Sequence, residues 1–265
     1  MHLSAGLGLL ALFSASDAGV ATPAQSPEAA PAPLACLQRY YGVQSVRQAG
    51  NWFALLDHGQ LLPYDDGRQK TFAQTLAEPD VQDMFAIPYR RGRTTAIRSE
   101  NDDPGRVRVE PLFAFAYGRS RMALRRLEFL GQKIQVHANI VEHLARVEER
   151  LRRQLHDRPE LRATILPLGG AYARRNIAGT DRQSAHSYGI ALDISPKRSD
   201  YWRWRPQQDL PKGARSDRMP AQSIVDAFEQ EGFIWGGRWY HFDTMHFEYR
   251  PELLDPACAE PAQLH

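Results

Sequence analysis

The amino-acid sequence predicts an α+β fold, with a small antiparallel sheet flanked by helices and an additional N-terminal α+β lobe. Three observations predict it: a hairpin signal early in the chain, one long amphipathic helix near its middle, and short apolar strands after that helix. Short strands mixed with helices, without regular alternation of the two, are typical of this class. The composition, 43% apolar and 24% charged over 265 residues, is that of a globular protein.

The beginning of the chain is predicted to lie outside the folded part. Residues 1–22 contain a short apolar run, Leu7 to Phe13, followed by small residues, which indicates a signal peptide although no Lys or Arg precedes the run. The alternative is a buried or disordered N-terminal segment. Residues 23–34 are rich in Ala and Pro and are interpreted as a linker. The apolar run is too short for a membrane span, so none is expected in the mature chain.

Two cysteines occur, Cys36 just after the predicted linker and Cys258 just before a predicted tail at 259–265. In an exported protein, this flanking position favours a disulfide that ties together the two ends of the folded part. The alternative is two free thiols.

The N-terminal lobe is assigned to residues 35–130. Trp52 to Tyr64 is predicted to form two short strands around Asp57-His58-Gly59, a hairpin signal. Thr71 to Leu76 and Pro79 to Phe85 are predicted as short helical pieces. The sequence does not indicate a function for this lobe.

The core is assigned to residues 131–258, and its clearest element is a helix. Apolar residues recur there at spacings of four, three, four and four, which draws one stripe along a helix. They are Ile140, Leu144, Val147, Leu151 and Leu155. A second helix is predicted over Pro220 to Gly232, with strands at Phe233 to Trp235 and Met245 to Tyr249.

Two short stretches contain the residue types of a metal site. His186 and Asp193 lie seven residues apart, and Asp243 and His246 follow about fifty residues later. Imidazole and carboxylate are natural ligands of a catalytic zinc ion, and three protein ligands leave the fourth position open for water. His186, Asp193 and His246 would supply that set. Asp243 would then be placed to take a proton from the attacking water as a general base.

These stretches read Ser184-x-His186-x-x-Gly189-x-Ala191-x-Asp193, with a later Asp243-x-x-His246. They resemble the zinc D-alanyl-D-alanine carboxypeptidase family, which includes D-Ala-D-Ala dipeptidases and L-alanyl-D-glutamate endopeptidases of bacteria and phages. The resemblance spans about Gly169 to Tyr249. It implies an antiparallel sheet around a single zinc site, with one zinc ion per chain.

The resemblance also implies roles residue by residue. His186, Asp193 and His246 match the zinc ligands, and Asp243 matches the catalytic acid/base. An arginine before the first ligand contacts the substrate or transition state in this family, and Arg175 fits that position better than Arg174. Further residues are expected to bind substrate or support the site: Ser184, Tyr172 and Trp239. The neighbouring aromatics Tyr201, Trp202 and Trp204 either wall a cleft for a peptide stem or sugar, or cover the core around the metal.

The predicted function is that of an exported zinc metallopeptidase, located in the periplasm or cell envelope, that hydrolyses stem peptides of bacterial peptidoglycan. The reaction is expected to be of the D,D-carboxypeptidase or L,D-endopeptidase type; the D-Ala-D-Ala dipeptidases have Glu at the position of Asp243, so Asp there favours an endopeptidase-like subgroup. The alternative is a non-catalytic cell-wall peptide-binding protein on the same scaffold. A net charge of +2 gives no strong field for nucleic acid, so no such partner is predicted.

Overall fold

The computed structural model describes residues 29–92, 99–118, 123–205 and 216–259. The predicted signal peptide, the first half of the predicted linker and all but the first residue of the predicted tail lie outside these ranges. The helices are α1 (Ala32–Tyr41), α2 (Phe72–Ala77), α3 (Glu110–Phe113), α4 (Val141–Asp157), α5 (Arg162–Ile165) and α6 (Gln222–Glu229). The strands are β1 (Gln44–Gln48), β2 (Asn51–Leu55), β3 (Leu61–Pro63), β4 (Leu124–Phe129), β5 (Gln132–His137), β6 (Ala191–Asp193), β7 (Phe233–Trp235) and β8 (His246–Tyr249). This mixture of helices and small antiparallel sheets is the α+β class that the sequence predicts.

The first helix begins inside the stretch that was interpreted as linker. Residues 32–34 are helical and Leu34 is fully buried, so the end of that stretch belongs to the folded part. Pro33 is tolerated because the amide groups of the first helical turn have no partner within the helix. Cys36 on α1 is bonded to Cys258, with 5.5 Å between their Cα atoms. The structure therefore contains the predicted disulfide.

The N-terminal sheet has the order β1-β2-β3, and both neighbouring pairs are antiparallel. The hairpin β2–β3 agrees with the predicted pair of strands. The sequence did not reveal β1, because its residues QSVRQ are mostly exposed and lack an apolar alternation.

A second hairpin, β4–β5, was also not predicted. Its two-residue turn, Leu130-Gly131, has positive φ at both positions, 51° and 85°, as a type I′ turn requires. Leu at the first of these positions is not a turn signal, since Asn, Asp and Gly are the usual residues there. The predicted boundary between lobe and core, at 130/131, falls inside this turn.

The long helix α4 matches its prediction. Leu144, Val147 and Leu151 are fully buried on one face. Contacts to α6 and β4 cover that face. The helix is thus a scaffold element beside the sheet that carries the candidate site.

That sheet has the order β6-β8-β7, with antiparallel neighbours. One continuous hydrophobic cluster joins it to the lobe, since Leu37 and Phe113 belong to the same cluster as Phe228 and Phe247. The lobe and the core therefore share their buried interior. Within the described ranges, no helix combines the length and the apolar character that crossing a membrane requires.

Candidate metal centre and catalytic cavity

Three potential ligand atoms from distant parts of the sequence meet at one point. His186 Nε2 lies 3.2 Å from His246 Nδ1, His246 Nδ1 lies 3.0 Å from Asp193 Oδ1, and His186 Nε2 lies 3.2 Å from Asp193 Oδ1. Zinc bonds to such atoms are about 2.0–2.2 Å long, so neighbouring ligands of a tetrahedral ion are separated by roughly 3.3–3.5 Å. The triangle, formed by these three atoms, has nearly the size of one face of a tetrahedral zinc site.

Strand pairing explains two corners of the triangle. Asp193 ends β6 and is the direct register partner of His246, the first residue of β8. Directly opposed residues of an antiparallel pair place their side chains on the same face of the sheet. The two imidazoles hold the Asp193 carboxylate between them. Burial by itself would raise the pKa of Asp193, but the neighbouring His186 and His246 lower it below its usual range.

His186 lies on a 3₁₀ turn, Ala185–Tyr188, whose two ends depend on specific residues. Ser184 begins the turn, because its Oγ accepts a hydrogen bond from the His186 backbone N–H at 3.4 Å. Gly189 ends it at a φ of 69°. A Cβ at Gly189 would lie 2.8 Å from the backbone nitrogen of His137, so only glycine fits between the turn and β5.

Hydrogen bonds on the far side of each ring orient the two imidazoles. The His186 Nδ1–H donates to the carbonyl of Ala171 at 2.5 Å, which leaves Nε2 free to bind a metal. The His246 Nε2–H donates to Glu248 Oε2 at 3.4 Å, which leaves Nδ1 free. Such outer partners fix the tautomer of a metal-binding histidine.

Glu248 is fully buried, and two arginines hold it. Its carboxylate lies 3.0 Å from Arg108 Nη1 and 3.3 Å from Arg250 Nη1. Burial would raise the pKa of Glu248, but Arg108, the hydrogen bond from His246 and Arg250 lower it below its usual range. This supporting role of Glu248 was not predicted from the sequence. The His246-x-Glu248 spacing on a predicted strand was the available signal, because residues i and i+2 point to the same face.

Asp243 lies beside the triangle. Its backbone N–H donates to the carbonyl of Gly236 at 3.0 Å, and its backbone is paired with that of Tyr201. Among the described residues, its buried Oδ1 atom has no hydrogen-bond partner. Burial raises the pKa of Asp243 to about 6, an effect that His246 opposes and Asp193 reinforces. The side chain therefore offers an unsatisfied oxygen close to the potential ligands.

A cavity of about 290 Å³ connects these groups. The three corners of the triangle and Asp243 line it, and so do three other residues that the sequence singled out: Arg175, Ser184 and Trp239. The Trp239 ring packs against His246 with 5.6 Å between ring centres. Arg174, the other candidate arginine, is not among the lining residues.

The structure does not place Tyr172 in this cavity. Its backbone N–H donates to the carbonyl of Gln135 on β5 at 3.0 Å. That bond fixes the chain next to Ala171, whose carbonyl orients His186. Tyr172 thus lies outside the cavity, next in sequence to Ala171, whose carbonyl orients the His186 ring.

Residues 99–118, part of the predicted lobe, also reach the cavity. Arg106 and Arg108 line it. Asp103 is fully buried and accepts bonds from His241 Nδ1 at 2.6 Å and Arg106 Nη1 at 2.6 Å. Burial would raise the pKa of Asp103, but the His241 bond and the charge of Arg106 lower it. The local sequence pattern did not indicate the contact between Asp103 and His241, since it joins positions 138 residues apart.

Residues 178–249 match the family model described as D-alanyl-D-alanine carboxypeptidase. The match confirms the predicted resemblance, and its span includes all three corners of the triangle as well as Asp243. Arg175 and Tyr172 precede it. Comparisons with curated proteins and with solved structures gave no match.

Proposed function

We propose that this protein is an exported zinc metallopeptidase that hydrolyses peptide bonds in the stem peptides of bacterial peptidoglycan. One observation carries the proposal: the triangle of His186, Asp193 and His246 lies within the span that matches the peptidase family. The family match supports a peptidase that acts on peptidoglycan. The proposal further includes zinc as the metal, Asp243 as the general base and the periplasm or cell envelope as the compartment.

The donor set fits zinc. Two neutral imidazole nitrogens and one carboxylate oxygen are borderline ligands that zinc binds in catalytic sites, and their mutual distances suit a tetrahedral ion. When bound, the ion would polarise the substrate carbonyl as a Lewis acid and lower the pKa of water. The hydrogen bonds that the imidazoles donate to Ala171 and Glu248 support the fit, because they leave the correct ring nitrogens facing the metal position.

Asp243 is proposed to accept the proton from the attacking water and then to deliver it to the leaving amine. The free Oδ1 supports this role, since a carboxylate oxygen already bound by protein donors would be a weaker base. Its backbone bond to the carbonyl of Gly236 and the pairing of its segment with that of Tyr201 hold it in position, so the carboxyl need not be reorganised during the reaction.

Arg175 is proposed to stabilise the negative charge that develops on the carbonyl oxygen. Its position in the cavity wall supports this choice over Arg174. Ser184 is proposed to position His186 through the start of the 3₁₀ turn, and Trp239 to form an apolar wall beside His246. No nucleic acid is proposed as a partner.

The proposed compartment is the periplasm or cell envelope. The Cys36–Cys258 disulfide supports it, because disulfides persist in oxidising compartments and are rare in the cytosol. The proposed reaction is of the D,D-carboxypeptidase or L,D-endopeptidase type, and the shorter side chain of Asp243 favours the latter.

The test is to digest purified peptidoglycan, and muropeptides of defined structure, with the protein before and after chelator treatment. We expect cleavage that chelator abolishes and added zinc restores, with the products identified by mass spectrometry. Zinc-dependent binding of muropeptides without cleavage of any stem peptide would instead favour the non-catalytic binding protein. Absence of stoichiometric zinc in the purified protein, combined with full activity, would contradict the metal assignment.

A further inference from the structure

An aromatic wall, consisting of Tyr201, Trp202 and Trp204, lines the same cavity as the triangle. It is tied directly to the segment that carries Asp243. The backbone of Tyr201 is bridged to that of Asp243, and the backbone N–H of Trp202 donates to the carbonyl of Phe242 at 3.0 Å. The wall therefore has a defined position relative to the proposed general base.

Contacts of the neighbouring arginines hold the segment that carries the wall. The Arg203 guanidinium lies 5.1 Å from the centre of the Trp202 ring and donates to the carbonyl of Ala178 across the cavity edge. Arg205 Nη2 forms an ion pair with Asp200 at 2.6 Å. Such contacts reduce the cost of ordering these side chains when a ligand binds.

Trp204 is more exposed than half-buried Trp202 and than the two tryptophans nearest the sheet, Trp235 and Trp239. Trp239 is 7% exposed and Trp235 is 1% exposed, as expected for residues that cover the core. Trp204 is 58% exposed, and Leu61, at 36%, is the other exposed large apolar residue of the described ranges. The Trp204 ring meets Tyr201 at 82°, with 6.0 Å between ring centres. This edge contact leaves a broad indole surface open, so packing of the core does not account for Trp204.

The shape and charge of this surface favour a sugar ring. An aromatic face carries partial negative charge and attracts the weakly positive C–H groups on the flat side of a pyranose. In peptidoglycan, the stem peptide is attached to the glycan strand through its L-alanyl end, so cleavage of the L,D-endopeptidase type, close to that end, would bring a sugar to the rim of the cleft.

We infer that Trp204 is a stacking platform for a pyranose ring of the glycan strand, so that the enzyme prefers stem peptides that still carry their disaccharide. This inference rests on the proposed function. It assigns a carbohydrate subsite to the edge of the peptide-cleaving cavity.

The experiment uses two matched substrates: a stem peptide alone, and the same peptide joined to its disaccharide. We expect wild-type protein to cleave the second with the higher kcat/KM. Trp204→Ala should lower kcat/KM for the disaccharide-bearing substrate about ten-fold more than for the free peptide, as expected for loss of one stacking contact. Trp204→Phe should recover part of the difference. Leu61→Ala, which removes the other exposed apolar side chain, serves as the control and should leave the ratio unchanged.

Equal losses on both substrates, or no loss on either, would overturn the inference. A binding measurement separates this outcome from failure of the proposed function. Calorimetric titration of the disaccharide-bearing peptide into wild-type and Trp204→Ala protein decides the matter even if the wild type cleaves neither substrate. Weaker binding by the variant, by about ten-fold, supports the sugar platform, and equal binding rejects it.

Discussion

Two clusters of potential metal ligands in this protein differ in the cations that neutralise their carboxylates. In the first, Asp66, Asp80 and Asp83 surround Lys70, whose side chain is only 5% exposed. The Lys70 ammonium lies 2.8, 2.9 and 2.7 Å from the three carboxylates in that order. In the second, the triangle, the ion-pair partners of Asp193 among the described residues are two imidazoles and no lysine or arginine.

The comparison shows why clustered ligand atoms alone do not indicate a metal site. Asp65, Asp66 and Asp80 also approach one another closely enough to bind an ion. The ammonium group of Lys70 already pairs with two of these three carboxylates, those of Asp66 and Asp80. In the triangle, the cationic residues stand one layer further out, where Arg108 and Arg250 hold Glu248. We therefore propose the centre of the triangle, rather than the acidic cluster, as the place for an external cation.

The largest effect is expected from removing a corner of the triangle. His246→Ala should abolish both zinc binding and peptide cleavage, because two remaining ligands cannot hold a catalytic zinc ion. Metal analysis of the purified variant and digestion of muropeptides provide the measurement. His58→Ala is the matched control, since that side chain is 80% exposed and does not line the cavity. Full zinc content in His246→Ala would show that the ligand set is incorrectly assigned.

The next effect concerns the proposed base. Asp243→Asn should keep zinc and substrate binding but lower kcat by about a hundred- to ten-thousand-fold, the range usual for a positioned acid/base group. Zinc content, the dissociation constant for a muropeptide and kcat should be measured on the same preparation. Loss of zinc would make Asp243 a ligand, and an unchanged kcat would require another base.

A smaller loss of kcat is expected from removing Arg175, the proposed partner of the oxyanion. Arg175→Ala should lower kcat by about a hundred-fold, as loss of one oxyanion donor does in other hydrolases. Arg174→Ala is the neighbouring control and should change kcat little, because Arg174 does not line the cavity. The reverse order of effects would exchange the roles of these two arginines.

Replacing Glu248 tests the hydrogen bond that orients the His246 ring. Glu248→Gln should weaken zinc binding by about 10- to 100-fold, the usual effect of losing the carboxylate partner of a metal-binding histidine. Glu229→Gln is the matched control, because Glu229 is also buried, in a separate cluster with Tyr89 and Arg238. Zinc affinity can be measured by competition with a chelator. Equal weakening in both variants would indicate a general loss of stability rather than a role in orienting His246.

The smallest effect on activity is expected at the other acidic cluster. Lys70→Met should leave zinc content and kcat unchanged but lower the free energy of unfolding by about 3 kcal/mol, because it leaves buried carboxylates without their cation. Arg153→Ala, which breaks the exposed pair with Glu149, should cost less than about 1 kcal/mol. Denaturant unfolding of both variants provides the measurement. A stable Lys70→Met protein that binds an added divalent ion would show that the cluster can become a metal site.

Lowering the pH should reveal how much the ion pairs of Lys70 stabilise the fold. The hydrogen bond from Lys70 lowers the pKa of Asp66 below its usual range. A carboxyl with a lowered folded-state pKa stabilises the fold above its unfolded pKa of about 4, and this contribution is lost as the pH falls below that value. The wild type should therefore lose stability on acidification below about pH 4, and Lys70→Met should lose less over the same interval.

The sequence alone determined the features whose signals are local. The stripe of α4 follows from apolar residues at helical spacing, and the helix was predicted nearly at its observed bounds. The two short motifs contain every corner of the triangle, because ligand type and spacing are written into ten and four consecutive residues. The two cysteines predicted the disulfide by their flanking position.

Only the tertiary structure decided which groups surround those motifs. Glu248 supports His246 because β8 places both on one face, and Arg108 reaches Glu248 from 140 positions earlier in the chain. Asp103 holds His241 in the same way, over 138 positions. Contacts between such distant residues leave no periodic trace in the sequence, since they depend on which surfaces pack together when the hydrophobic interior forms. The lobe, which the sequence left without a role, contributes to the cavity for that physical reason.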